Sequence, residues 1–206
     1  MKMEQGSDEW KKAKAGVVSA SKAVAILKGK KGAYLASRKN YMAEKVCEIL
    51  TGELTPLDFI SAPMERGTEM EPIARSMYEA KTGEWVEQDG FELHPTIKNF
   101  GASPDGLINQ DGCIEIKCPN TATHIATLRG ADIKIDYLIQ MQVVMMVYDR
   151  QWCDFVSFDD RLPVNLQIFI KRIKRDPVLC AEIEIEVQLF NAELAEAVKD
   201  LKELTI

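Results

Sequence analysis

No two of the five cysteines stand in a CxxC pair. Cys113 and Cys118, an odd number of residues apart on one predicted strand, point to opposite faces. Zinc and iron–sulfur centres are therefore excluded as the organising chemistry. Scattered single cysteines, with no secretory leader ahead of them, predict a reducing cytoplasm. No apolar run approaches the roughly 20 residues of a membrane span, which predicts no membrane partner. No segment rich in Gly, Ser or Pro divides the chain, so residues 1–206 are expected to form a single domain. The two histidines, His94 and His124, are too far apart to imply a metal cluster, and each is expected at the surface or in a hydrogen bond. A GxxxxGK[ST] phosphate loop is missing, which excludes a nucleotide cofactor of that kind. Excess positive charge is missing too. The net charge is −6, the wrong sign for a chain that binds phosphates through its overall field. The distribution is less hostile: Lys28-Gly-Lys-Lys31 with Arg38 and Lys39, and Lys171-Arg-Ile-Lys-Arg175, are local basic segments, while acids crowd from Glu182 to Glu203. Each basic run is either a solvated face or one wall of a basic groove.

One stretch carries most of the chemistry. Ser103-Pro-Asp-Gly-Leu-Ile-Asn-Gln-Asp-Gly-Cys-Ile-Glu-Ile-Lys-Cys-Pro119 predicts a β-hairpin, because Asn109-Gln-Asp-Gly112 is a turn signal between two short apolar runs. Glu115 and Lys117, two residues apart, share one face of the second strand, while Ile114, Ile116 and Cys118 point the other way into a core. Pro104 fixes the backbone before Asp105, and Pro119 stops the strand. Asp105 and Glu115 supply the oxygen ligands that a hard divalent cation such as Mg²⁺ takes. A neighbouring ammonium can orient or help deprotonate a metal-bound water and balance charge on a phosphorane. The constellation suits phosphodiester hydrolysis. The bland alternative is a turn followed by a solvated strand face, which short motifs of this kind often prove to be.

Periodicity and punctuation place the remaining elements. Helices are predicted from Ser7 or Asp8, from Ser19 or Ser21 through Leu27 with Gly29 as terminator, from Tyr34 to Leu50 ending at Gly52, and from Met64 to Thr82. In the last of these, Pro72 either bends the helix or makes Glu71 a residue at its start. Strands are expected at Gly90–His94 and Phe100–Ala102 before the hairpin. Helices at Thr121–Leu128 and Ile135–Tyr148 come next, then strands at Trp152–Ser157 and Asn165–Ile170, and a long helix from Pro177 to Leu204. Strands interleaved with helices predict an α/β fold with a mixed central β-sheet flanked by helices. Within the helix from Ile135, the Leu138, Met141, Met145 and Tyr148 steps read as core.

The hairpin resembles the nuclease core of the phage lambda exonuclease family, the YqaJ-like viral recombinases of the PD-(D/E)xK superfamily. Three further motifs extend the resemblance over roughly residues 5 to 160. They are Gln5-Gly-Ser-Asp-Glu-Trp10 with Gly16-Val-Val-Ser-Ala-Ser21, Gly67-Thr-Glu-Met-Glu71, and Ile139-Gln-Met-Gln-Val143. It implies a restriction-endonuclease-like core with Asp105 and Glu115 as metal ligands, Lys117 as the catalytic lysine and Glu71 as a further acid at the metal. It also implies the Ile116 carbonyl as a backbone ligand and Gln142 as the amide near the metal-bound water, leaving Gln140 exposed or structural. Glu71 has a plain alternative, an exposed i,i+4 pair with Arg75. The resemblance further implies a pocket for a terminal 5′ phosphate formed by Ser21, Ser103 and Lys14. Lys14 stands where the family carries an arginine, and it cannot make the bidentate fork of a guanidinium; Ser19 and Ser21 as mere helix caps is the competing reading.

What the resemblance implies as activity is Mg²⁺-dependent digestion of one strand of linear duplex DNA from its 5′ end to mononucleotides, with Mn²⁺ able to substitute. The 3′ single-stranded tail left behind would serve annealing-type recombination. A ring-shaped homotrimer around the DNA and a single-strand annealing protein are the implied partners. A restriction-like or structure-specific endonuclease could share the same hairpin, and a binding module with a decayed site is the non-enzymatic alternative. The intact Asp105, Glu115 and Lys117 count against the second.

Overall fold

The computed structural model describes residues 8–29, 32–56 and 61–204. Gln5, Gly6 and the expected cap Ser7, together with Lys30 and Lys31 of the first basic run, lie outside them. The chain runs through α1 (Asp8–Lys14), β1 (Val18–Ser19), a 3₁₀ helix (Ala20–Ile26), α2 (Ser37–Thr51), α3 (Ala62–Thr82), β2 (Val86–Glu87), β3 (Glu92–Leu93) and β4 (Phe100–Ala102). Next come β5 (Gly106–Ile108), β6 (Gly112–Lys117), α4 (Thr121–Leu128), α5 (Ile135–Val147), β7 (Trp152–Phe158), β8 (Ile168–Lys174) and α6 (Pro177–Glu203). The fold is α/β with mixed sheets flanked by helices, as the alternation of elements predicts.

Two sheets divide the strands: β1-β4-β3, and the larger β2-β5-β6-β7-β8. β6 and β7 pair in parallel across the crossover made by α4 and α5, while β5–β6 and β7–β8 are antiparallel. Strand alternation then sorts the core. Ile114 and Ile116 of β6 join Val156 and Phe158 against Ala74 and Tyr78 of α3. Cys113 and Phe155 face the opposite way, toward α5, α6 and the 3₁₀ helix. α5, buried from Met141 to Val147, is covered on all sides, as befits a helix apolar all round. Among the described residues no helix is long and apolar enough to cross a membrane.

Several local expectations are corrected. The segment after Ser19 is a 3₁₀ helix in which the Ser19 hydroxyl makes no capping bond; it runs to Ile26 with Leu27 as its cap, close to the expected end, though Leu27 and not Gly29 closes it. Tyr34 pairs with Lys28 in a bridge, so α2 begins only at Ser37. α3 continues through Pro72: the ring deletes one N–H, but the burial of Ala74 and Tyr78 beyond it holds the helix to the sheet. β8 starts at Ile168, because Val164–Leu166 form a separate 3₁₀ turn. The basic run Lys171–Arg175 is therefore mostly edge strand, with Arg172 bound to Asp154 and Arg175 to Asp149, so these two guanidiniums do not form a free phosphate-binding face. His124 is buried in hydrogen bonds with Ser157 and the Leu166 carbonyl, and His94 Nδ1 accepts from Thr96 and Ile97 N–H; both match the hydrogen-bonding expectation.

Candidate active site

The hairpin forms as its turn residues require. Asn109 takes a left-handed conformation (φ 50°), and Gly112 lies under the Trp152 ring, where a Cβ would come within 2.2 Å of it. Gly106 pairs with Ile114, so Asp105, one residue before β5, reaches the backbone of β6. Its Oδ2 accepts the Ile116 N–H at 2.7 Å. Glu115 is only 1% exposed and is ion-paired with Lys117. The two acids and the amine converge, and the solvated-face alternative is overturned by the burial of Glu115.

Electrostatics bind these groups together. Burial pushes Glu115 up to about 8, the charge on Asp105 adds to the rise, and Lys117 opposes it. Asp105 is raised as well, by burial first, against the pull of Lys117 and the Ile116 N–H. Burial alone would lower Lys117, but Glu115 and Asp105 outweigh it, so its pKa rises and the amine stays charged. Glu71, on α3, sits in the same field: burial and then Asp105 raise it, and Arg75 at 2.5 Å pulls it back. The helical pair with Arg75 and proximity to the site are thus both real.

Among the described residues no three Asp, Glu, His or Cys side chains already stand at mutual metal-ligand spacing; Glu71 is turned to Arg75 rather than to the pair. The donor set still fits a hard cation. Buried Glu115, its pKa raised further by the neighbouring Asp105, concentrates negative charge next to the Ile116 backbone, an all-oxygen donor set of the kind Mg²⁺ takes together with water and substrate phosphate.

Gln142 requires correction. Its side chain donates to the Lys174 carbonyl at 3.1 Å and accepts the Asp176 N–H at 2.8 Å, tying α5 to the β8–α6 junction. Gln140 is the amide at the site, with Oε1 3.5 Å from Lys117 Nζ. Residues two apart on a helix lie about 200° around it, so only one of the two can face β6. Tyr137, one turn before Gln140, also faces Lys117, whose Nζ lies 5.1 Å from the ring centroid. Its i−3 spacing from Gln140 was the signal that could have found it.

The candidate phosphate pocket lies on the smaller sheet. β1 runs parallel to β4 with Ser19 opposite Gly101, which puts Ser21 and Ser103 beyond the same end of the pair. The Ser103 hydroxyl is buried without a hydrogen-bond partner among the described residues; Ser21 is exposed and within 3.4 Å of Ser19 Oγ. Lys14 Nζ lies 4.0 Å from the Trp10 ring and 5.6 Å from that of Phe91, and Phe91 packs against Gly101. Burial, then Lys45, lowers the Lys14 amine to about 8. The turn after Lys14 is fixed by Glu48, which accepts from Gly16 N–H at 2.8 Å and from buried Lys45 at 2.6 Å. Neither Lys45 nor Glu48 stood out in the sequence, since their charges read as solvated helix positions.

An acid before one strand, an acid-x-lysine on the next and a mixed sheet between helices define the PD-(D/E)xK class of nuclease core. Residues 9–151 match the YqaJ-like viral recombinase domain. An alkaline exonuclease from Laribacter hongkongensis superposes with a TM-score of 0.88 at 51% identity, covering 95% of this chain and 96% of that one. The same enzyme in complex with dAMP gives 0.88 at 50% identity over 95% and 96%. A phage-related exonuclease from Haemophilus somnus, at 18% identity and a TM-score of 0.67 over 90% and 96%, shares the fold. No curated protein matches the chain. The chain belongs to the YqaJ-like viral recombinase family.

Proposed function

We propose that this protein is a metal-dependent exodeoxyribonuclease that digests one strand of linear duplex DNA from a 5′-phosphorylated end. The carrying observation is the charged Lys117 paired with buried Glu115 beside Asp105. Asp105, Glu115 and the Ile116 carbonyl would hold Mg²⁺, or Mn²⁺ in its place. When bound, such an ion lowers the pKa of the attacking water and stabilises the attacking and leaving oxygens. Lys117 orients the water and shields the phosphoryl oxygens, with Gln140 holding the ammonium in place. Glu71 contributes a further acid from α3. Lys14, Ser21 and Ser103 receive the terminal phosphate, the Ser103 hydroxyl, without a partner among the described residues, being a donor for it. A relative crystallised with a mononucleotide supports mononucleotide products. A single nuclease domain, a ring-shaped homotrimer, an annealing protein on the 3′ tail and a cytoplasmic setting complete the reading; family membership supports the ring and the partner, and five free cysteines support the setting.

A time course with Mg²⁺ on linear duplex tests this. Phosphorylated 5′ ends are expected to be degraded faster than hydroxyl ends, with a covalently closed circle left uncut; cutting of the circle would favour an endonuclease instead. The phosphate preference also carries a pH signature. Lys14, with its pKa lowered to about 8, is charged below that pH and neutral above it, whereas the 5′ phosphate is already dianionic above its second pKa of about 6. The ratio of kcat/KM for phosphorylated over hydroxyl ends is therefore expected to decline from pH 7 to 9.5. In Lys14→Arg it should stay flat, since arginine remains charged. Equal slopes in the two proteins would remove Lys14 from the pocket.

A further inference from the structure

A cavity of about 410 Å³ opens between α4 and the start of α5, and it is joined to the candidate site through two of its lining residues, Phe155 and Tyr137. Phe155 is part of its lining, and in the parallel β6–β7 register Phe155 is the partner of Glu115. Tyr137 forms an aromatic wall, stacked on Phe155 at 6.0 Å between centroids and 23° between planes. The other face of the cavity is made by Ala126, Thr127 and Ile133. Lys134 adds a cation 5.7 Å from the Tyr137 centroid. The volume lies within the roughly 300–1,000 Å³ of small-molecule sites. Its exposed lining is mainly apolar, with Asn120, Thr123, Asp132 and Lys134 at its margin; the Asn120 oxygen is engaged in capping α4, accepting the Thr123 N–H at 2.8 Å. Such a slot grips a flat aromatic ring chiefly by stacking, which is tolerant of base identity.

We propose that this cavity receives a nucleobase of the strand being cut, from a nucleotide adjoining the scissile phosphate, with Tyr137 as the stacking residue; the proposal rests on the exonuclease reading above. Lys117 ties the two together, because its ammonium serves the phosphate and lies 5.1 Å from the Tyr137 ring, so a nucleotide whose phosphate meets Lys117 brings its base within reach of Tyr137. Stacking tolerant of base identity also suits an enzyme that must digest any sequence it meets.

The test is a series of 5′-phosphorylated linear duplexes in which a single base-free nucleotide is moved through the first three positions, digested with Mg²⁺ under single-turnover conditions. The unaltered protein is expected to lose about tenfold in rate at one position, the size of a base–aromatic stack. Tyr137→Phe should keep that penalty. Tyr137→Ala should be slower on the intact duplex and indifferent to the missing base, and Ala126→Leu, which fills the cavity from the α4 side, should behave alike without touching the ring. A general structural defect would slow intact and base-free substrates equally and preserve the penalty; that outcome, or no penalty at any position in the unaltered protein, overturns the proposal. Failure of the unaltered protein to cut any linear duplex is a different result, and it removes the exonuclease reading itself.

Discussion

Lys117→Ala and Glu115→Ala are each expected to lower kcat on linear duplex by about a thousandfold, the scale of losing a positioned proton-transfer or charge-stabilising group. Binding of DNA ends should change only a few-fold, since the proposed phosphate pocket lies on the other sheet. The two variants fail for different reasons. Removing Lys117 takes away the cation that holds the Glu115 pKa down, so the carboxyl keeps its proton more tightly and gives it up less readily to a metal. Removing Glu115 leaves the lysine with Asp105 as its main counter-charge and deletes an oxygen donor. Excess Mn²⁺ should therefore recover part of the activity of Lys117→Ala, where both acids survive, and none of that of Glu115→Ala. Single-turnover cleavage beside a filter-binding measurement separates chemistry from grip. Near-normal cleavage by either variant would dissolve the catalytic assignment.

How much of this was legible in the chain depends on whether the signal is local. The Asp105 to Lys117 hairpin was, because its turn residues, period-two alternation and flanking prolines all agree within 17 residues. α4 begins and ends where its composition says, and Asn120 caps it through Thr123. The split into two sheets was not legible, since β1 and β2 are two residues each and exist only through pairing with distant strands. The Gln140 and Gln142 error has the same root. Both amides lie within one turn of helix, and which faces β6 is decided by how α5 is rolled against the sheet, a tertiary fact. Glu48 and Lys45 look like any exposed helical pair until the turn at Gly16 is found closed over them. Tyr137 and Phe155 read as core aromatics and in part are.

Asp154→Ala should lower the thermal midpoint by about 10 °C, although Asp154 bonds to neither the proposed metal ligands nor the proposed phosphate pocket. Asp154 is 3% exposed at the centre of β7. It accepts the Tyr78 hydroxyl at 2.7 Å and two Arg172 donors at 2.8 and 2.9 Å. Arg172 lies over the Trp152 ring at 3.4 Å and is half exposed, so its share of the pair is screened and modest. Tyr78 is fully buried, and its hydroxyl would be left with no acceptor. Breaking a buried charged network costs about 3–5 kcal/mol; discounting the exposed arginine leaves roughly 3 kcal/mol, and each kcal/mol moves the midpoint of a chain this size by about 2–4 °C. Asp154→Asn, which keeps an acceptor for Tyr78, should lose less than half as much. The consequence reaches the site through α3: Tyr78 and Glu71 are seven residues apart, on one face of that helix. Loosening Tyr78 frees the helix that carries Glu71, so a few-fold fall in kcat should accompany the lower midpoint. Scanning calorimetry that finds Asp154→Ala within a degree or two of the unaltered protein would show that α3 is held to the sheet by its apolar contacts alone.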